Sequence, residues 1–335
     1  MASQFSEAPP SLRSGVVRPG FRVDPRLLWA IGIALLLLPL FTAESYRLFQ
    51  LTLAAIYAIA ILGLNLVTGY NGQISLGHGA FYAVGAYVAA IMLDKLSLPW
   101  WSTLPAAAVI CGIVGWGIGR PALRLGGLYL ALTTFSLAVA VPQILKYKGI
   151  EDWTGGVQGV LVTKPDAPFG LPLDVDQFLY LVTVGIALGV FVLARNLMAS
   201  RIGRAMMAIR DHALAAEAMG MDIANLKTAT FAVSAMITGL AGALSAIAVE
   251  FVSPDSFQAT LSITLFVGMV VGGVASIIGP IFGGLFVVFV PNLAEEISKS
   301  APGVIYGCIL IAFLFVLPGG VAGLLRRLPA LLRRR

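Results

Sequence analysis

Charged residues are scarce in this chain. Asp, Glu, Lys and Arg make up 11% of its 335 residues, whereas hydrophobic residues make up 59%. An ordinary soluble domain carries roughly 25% charged residues. The deficit therefore excludes a typical soluble domain and indicates an integral membrane protein.

Cysteine and histidine are also scarce, with two of each. Cys111 and Cys308 lie in apolar runs, where cysteine usually packs as a small hydrophobic residue, so they indicate neither a disulfide nor a metal site. The two histidines are far apart in sequence, and no carboxylate lies deep in an apolar run. The convergent acids, bases, nucleophiles or metal ligands of an enzyme site are therefore missing from the sequence.

What the chain has instead is a series of apolar runs long enough to cross a bilayer. A helical span needs about 20 mostly apolar residues. We expect an all-α polytopic membrane protein with about ten transmembrane helices, of which one Gly-rich segment is broken or re-entrant. The candidate spans are 27–43, 48–68, 73–93, 99–119, 125–145, 177–195, 226–249, 259–277, 280–297 and 303–323. The absence of charge deep within them disfavours an ion-coupled transporter.

The distribution of Lys and Arg predicts that both termini are cytoplasmic. With the N-terminus inside, 16 basic residues fall on the inner side and 6 on the outer side, whereas 11 of the 16 acidic residues fall outside. This asymmetry obeys the positive-inside rule. The net charge of +6 thus follows from membrane topology, and no nucleic-acid partner is predicted.

The ends of the chain differ in composition from its middle. Residues 1–26 are rich in Ser, Pro and Arg, which favours a flexible cytoplasmic arm over a secretory signal. Residues 27–325 hold all of the apolar runs and form the transmembrane domain. Residues 326–335 form a basic cytoplasmic tail that we expect at the anionic inner leaflet.

A Gly-rich, polar stretch at 69–79 is the strongest candidate for a transport pathway. Irregular backbone at membrane depth is tolerated only against protein or a water-filled cavity, and broken helices line substrate sites in transporters. Hydrogen bonding between helices is the alternative explanation for the same residues. The candidate pathway residues near this stretch are Asn65, Asn71, Gln73, Ser75 and His78. A weak echo of 72–89 in 273–290 suggests a parallel internal repeat.

A second polar patch lies in the fifth candidate span. Thr133, Thr134 and Ser136 are further candidate pathway residues. Serine and threonine hydroxyls also bond readily to carbonyls of their own helix, which leaves a purely structural role open.

A polar island at 200–227 separates two apolar runs. Its charges place it in water, and Asp211 as N-cap with Gly220 after the last turn predicts a short helix over His212–Met219. Asp222 is placed to cap the next helix. Such a loop suits contact with a soluble cytoplasmic partner, although a solvated connector has the same pattern.

The island resembles the cytoplasmic coupling motif of ABC importer permeases. The matching residues are Arg204, Ile209, Arg210, Asp211, Ala215, Glu217, Ala218 and Gly220, with one residue fewer before the glycine than the family pattern has. Three further stretches, at 64–81, 127–134 and 154–156, are similar to permease subunits of branched-chain amino-acid importers of the LivM type. The resemblance covers roughly residues 45–325.

The resemblance implies an importer subunit in a bacterial inner membrane. Its partners would be a second homologous permease, two cytoplasmic ABC ATPases and a periplasmic or extracellular substrate-binding protein. The chain has no Gly-x-x-x-x-Gly-Lys-[Ser/Thr] phosphate loop, so ATP would be used by the partner subunits and no cofactor would be bound here. Relatives that carry urea or short amides, and a passive channel for small neutral solutes, remain alternatives.

Overall fold

The computed structural model describes residues 44–122, 127–165 and 173–325. The expected arm at 1–26, the candidate span at 27–43 and the basic tail at 326–335 lie outside the described residues. The described part is built of helices, as expected, with one very short antiparallel strand pair that the sequence did not predict.

The helices are numbered here in chain order. They are α1 (Ser45–Asn65), which continues as a π-helix (Leu66–Tyr70), α2 (His78–Asp94), α3 (Trp100–Ala122), α4 (Leu128–Leu145), α5 (Glu151–Thr154), α6 (Val175–Ala199), α7 (Arg201–Asp211), α8 (Ala213–Ala218), α9 (Ile223–Val249), α10 (Ala259–Gly272), α11 (Gly279–Ile297) and α12 (Pro302–Val316). The two strands are β1 (Val160–Leu161) and β2 (Phe251–Val252).

Seven helical stretches of the described chain are long and apolar enough to cross a membrane. The expected count of about ten is not confirmed: α2 has 17 residues and α10 has 14, and 27–43 is not described. These two helices are shorter than the apolar runs around them because each adjoins a non-helical link, at 71–77 and 273–278.

The crossing helices alternate between two ends of the molecule. We call the end that carries residues 200–222 the loop end, and the opposite one the far end. Phe49 near the start of α1 lies 5.8 Å from Lys164 at the far end, and Gly69 after α1 accepts a hydrogen bond from Arg210 at the loop end. Tyr87 late in α2 packs on Phe257 at the far end.

The Gly-rich stretch therefore joins two helices that run in opposite directions. The structure does not show the expected re-entrant segment, which would return to the end from which it entered. The link at 71–77 is a helix break within a hairpin, and its equivalent at 273–278 joins α10 to α11. The helices after the two links begin at His78 and Gly279, which are equivalent positions in the sequence echo.

Helix α9 is the centre of the core and packs mainly against α3, α2 and α1. Glycines permit this close packing. A Cβ on Gly85 of α2 would lie 2.0 Å from the carbonyl oxygen of Gly239 in α9, and one on Gly242 would lie 2.0 Å from that of Tyr82. Small residues bring helix backbones into direct contact where lipid offers no hydrophobic drive.

The far end is closed by short elements and ion pairs. Val160 pairs with Val252 and Leu161 with Phe251 in the β1–β2 ladder. Lys164 Nζ lies 3.1 Å from Asp176 Oδ1 at the start of α6 and 3.4 Å from Glu250 Oε2 at the end of α9. The far ends of α6 and α9, the helices that flank the 200–222 loop, are thus tied together.

Candidate functional site

The loop at 200–222 folds as two short helices with well-defined ends. Ser200 caps α7 by accepting from the backbone N–H groups of Ile202 and Gly203. Asp222 caps α9 by accepting from the N–H of Asn225, as predicted. Gly220 follows α8 with φ of +81°, and the N–H of Met221 bonds the carbonyl of Ala216, which completes a Schellman end.

Asp211 does not cap the short helix, and that prediction was wrong. Asp211 is the last residue of α7, and His212 occupies the N-cap position of α8 without a side-chain capping bond. The Asp211 carboxylate instead accepts from Arg210 Nε at 3.0 Å. The neighbouring guanidinium, a charged donor, holds the carboxylate in place of the weaker backbone donors of the next helix. The predicted helix over His212–Met219 is therefore limited to Ala213–Ala218.

One side of the two helices packs against the protein and the other is open. Met206, Ile209 and Ala216 form the buried side. The exposed residues among the predicted coupling set are Arg204, Arg210, Asp211, Ala215, Glu217, Ala218 and Gly220. Leu214 and Met219, which the sequence reasoning did not single out, are 83% and 82% exposed beside them. The surface is small, is apolar around Leu214 and Met219, and carries the carboxylates of Asp211 and Glu217.

Arg210 differs from the other predicted coupling residues because it also reaches inward. Its Nη1 donates to the carbonyl oxygen of Gly69 at 2.9 Å. Its side-chain stem lies against Gly72, where an added Cβ would come 2.8 Å from Arg210 Cγ. Arg210 thus connects the exposed loop to the broken helix, 141 residues earlier in the chain.

Asn71 and Gln73 lie inside this junction with part of their hydrogen-bonding capacity unused. Asn71 is 1% exposed, and neither of its side-chain amide atoms has a partner. Gln73 is 3% exposed; its Nε2 donates to the carbonyl of Lys227 at 3.3 Å, whereas its Oε1 has no partner. Buried amides are rarely left unpaired, because desolvation then goes uncompensated.

Asn65 holds the two helix breaks together. Its Nδ2 donates to the carbonyl of Ser276 at 2.7 Å, and its Oδ1 accepts from the N–H of Ala275 at 2.9 Å. The side chain is fully buried, and it bonds backbone groups of the interrupted α10–α11 connection.

His78 is part of a buried hydrogen-bonded chain. Ser234 Oγ donates to the carbonyl of Gly63, so His78 Nε2, 2.6 Å away, must carry a proton and donate to Ser234. His78 Nδ1 lies 2.9 Å from Ser75 Oγ and completes the chain. The imidazole links α2 to α9 and, through Ser234, to α1.

The three candidates on α4 separate into two environments. Thr134 is buried, and its hydroxyl accepts from the N–H of Leu76 at 3.0 Å, which anchors the link before α2. Thr133 and Ser136 lie on an exposed face of α4. The Thr133 hydroxyl donates to the carbonyl of Tyr129, and the Ser136 hydroxyl donates to the carbonyl of Leu132, both in the same helix.

The structure therefore gathers six of the eight pathway candidates around the Gly-rich link and leaves two outside. The six are Asn65, Asn71, Gln73, Ser75, His78 and Thr134. Ser234, whose hydroxyl joins His78 to Gly63, was missed because a lone serine in an apolar helix gives no signal of its own. A pathway role for any of the eight stays a prediction.

The comparisons with known proteins agree with the resemblance drawn from the motifs. A family model described as "Branched-chain amino acid transport system / permease component" matches residues 46–317. The high-affinity branched-chain amino acid transport system permease protein LivM of Escherichia coli is 33% identical over 290 residues, which cover 79% of this chain and 66% of LivM. This chain thus spans slightly less than two thirds of the length of that relative.

Two shorter relatives are covered almost entirely. The permease protein LivH of Escherichia coli is 26% identical over 301 residues, 81% of this chain and 92% of LivH. BraD of Pseudomonas aeruginosa is 26% identical over 298 residues, 82% of this chain and 93% of BraD. No solved structure matches the chain significantly. The described residues contain seven helices long and apolar enough to cross a membrane, and the family match covers most of the chain, so this multi-pass membrane protein belongs to the family of branched-chain amino acid transport permease components.

Proposed function

We propose that this chain is the membrane-spanning permease subunit of an ATP-binding-cassette importer that carries branched-chain or related amino acids across a bacterial inner membrane. The observation that carries the proposal is the 200–222 loop. It presents a small exposed surface around Leu214 and Met219, while Arg210 connects the same loop to the helix break. A passive channel does not need a contact that transmits movement from a cytoplasmic partner to its helices.

The proposed topology has ten spans, with the loop end in the cytoplasm. Nine described helices alternate between the two ends from α1 to α12, if α2 and α10 are counted with the seven longer stretches. The apolar run at 27–43, which lies outside the described residues, is the tenth span of this proposal. The excess of Lys and Arg at the loop end supports this orientation.

The partners supply what this chain does not contain. Two cytoplasmic ATPases bind and hydrolyse ATP and dock on the loop end. A substrate-binding protein delivers the amino acid to the far end. A second permease subunit faces the exposed side of α4, where Thr133 and Ser136 add polar groups to a largely apolar surface.

A transport assay tests the proposal. Uptake of a branched-chain amino acid into cells or vesicles should require the co-expressed ATPases and ATP. The change Glu217→Lys places a reversed charge on the exposed α8 surface and should lower uptake about tenfold or more, equivalent to roughly 1.4 kcal/mol of lost docking free energy. Gly220→Pro should act similarly because it disrupts the end of α8.

The matched control is Glu295→Lys, which makes the same charge reversal at an exposed position on the far end of α11. It should leave both ATP-dependent uptake and membrane insertion unchanged. Uptake that runs equally well without ATP or the ATPases would contradict the importer and favour a passive facilitator.

A further inference from the structure

The segment 66–74 has an irregular backbone and is mostly buried. It begins as a π-helix at Leu66–Tyr70, passes through Gly72 with φ of +72°, and continues as non-helical backbone. π-helical turns are rare and occur frequently at functional sites. This one lies inside the protein, directly beneath the α7 helix of the loop.

Both ends of this segment are firmly anchored. At its start, Asn65 makes two hydrogen bonds to the backbone of Ala275 and Ser276. After its end, Ser75 and His78 bond each other and Ser234 of α9. The two anchors fix the ends against the core, so any rearrangement is confined to the residues between them.

Between the anchors, side-chain bonds from the loop region reach the segment. Arg210 donates to the carbonyl of Gly69, and its stem covers Gly72. The Gln73 amide reaches the carbonyl of Lys227 at the loop end of α9. A displacement of α7 therefore acts on the segment directly through Arg210.

The amides of Asn71 and Gln73 keep unused hydrogen-bonding capacity in this conformation. Asn71 is buried with both polar atoms unpartnered, and Gln73 Oε1 is buried without a partner. A conformation in which these amides meet water or another polar group would recover the lost hydrogen bonds. Arg210 holds the segment from the loop side, and the Thr68 hydroxyl, which bonds Gln73 and Ser75, holds it from within.

We propose that residues 66–74 are a two-state switch at the cytoplasmic mouth of the transport route and that Arg210 is the positioning residue that transmits movement of the coupling loop to it. The proposal rests on the proposed importer function. In one state Arg210 holds Gly69 and the Asn71 amide is buried. In the other, α7 moves with the ATPases, the Arg210–Gly69 bond opens, and Asn71 becomes accessible to water.

Coupling efficiency is the first test. In the assembled, reconstituted transporter, Arg210→Ala should lower the amount of amino acid moved per ATP hydrolysed by about tenfold, within the usual range of allosteric couplings. Arg201→Ala is the control, because Arg201 is an exposed arginine of the same helix. Normal transport per ATP in Arg210→Ala would overturn the proposal while leaving the importer function intact.

Cysteine labelling is the second test and needs no change at position 210. In a Cys308→Ser background, Asn71→Cys should react slowly with a water-soluble maleimide in the nucleotide-free transporter and faster after trapping with ATP and vanadate. Ile74→Cys is the control, since Ile74 is already 44% exposed and should react in both states. Equal labelling of position 71 in both states would overturn the switch, and loss of the ATP requirement for uptake would instead overturn the proposed function.

Discussion

At the scale of single residues, the buried polar side chains are bound to backbone more often than to each other. Asn65 serves two backbone groups of the α10–α11 connection, and Thr134 accepts from the N–H of Leu76. Both bond peptide groups at helix breaks, where the regular hydrogen-bond ladder is lost. Buried polar side chains thus make irregular backbone tolerable inside the protein.

Asn65→Leu tests this role. The leucine has a similar branched shape but removes the hydrogen bonds that Asn65 makes to the Ser276 carbonyl and the Ala275 N–H. We expect a loss of about 1–3 kcal/mol in unfolding free energy, the usual cost of removing one partner from a buried hydrogen bond. Thermal unfolding of the detergent-purified protein measures this loss of stability. Thr264→Val is the control, because that hydroxyl bonds only a carbonyl of its own helix; an equal shift in both variants would contradict the role.

At this scale, the sequence predicted helix-end residues that depend on adjacent positions, but it did not predict hydrogen-bond partners that are distant along the chain. Gly220 and Asp222 act as predicted because a helix end depends on a few adjacent residues. The prediction that Asp211 caps the short helix was wrong, because the neighbouring Arg210 guanidinium donates to the Asp211 carboxylate instead. The partner of Asn65 is 211 residues away and that of His78 is 156 away, so neither follows without the packed fold.

At the scale of elements, glycine spacing decides which helices touch. Helix α9 meets α2 where Gly85, Gly239 and Gly242 remove side chains from the crossing. The abundance of glycine was visible in the sequence, but which glycines lie at a contact depends on how the helices are oriented. Gly117 in α3, for example, has open space where its Cβ would be.

Gly85→Ala and Gly117→Ala therefore should have opposite effects. The first puts a methyl group 2.0 Å from the Gly239 carbonyl oxygen and should destabilise the protein by about 1–3 kcal/mol, the usual cost of overpacking. The second should be neutral or stabilising by up to about 1 kcal/mol, because alanine is the better helix former. The yield of monodisperse protein and its unfolding temperature measure both. Equal tolerance of the two changes would contradict the crossing.

At the scale of the whole molecule, composition alone predicted a helical membrane protein, and the family match and the apolar helices confirm it. The span count was not confirmed, because α2 and α10 stop at the breaks at 71–77 and 273–278. The residues around these breaks remain apolar, so hydropathy averaged over a window of the sequence shows one continuous apolar run. The β1–β2 ladder was missed because two residues per strand give no alternating pattern.

Side-specific labelling tests the proposed orientation. In a Cys308→Ser background, Leu214→Cys should react with a membrane-impermeant maleimide only from the cytoplasmic side. Trp153→Cys should react only from the outside; the two native side chains are 83% and 52% exposed at opposite ends. The buried Cys111 serves as the internal negative control. Reaction of position 214 from outside would invert the topology and remove the coupling surface from the cytoplasm.

The Lys164 ion pairs have a mechanical consequence. They join the start of α6 to the end of α9 at the far end, with the Lys164 side chain only 17% exposed. Helix α9 has 27 residues and is therefore roughly 40 Å long at the usual rise per residue. Because α9 is also packed against α1, α2 and α3, a push on the 200–222 connection should displace the short helices α7 and α8 more than it displaces the joined far ends of α6 and α9.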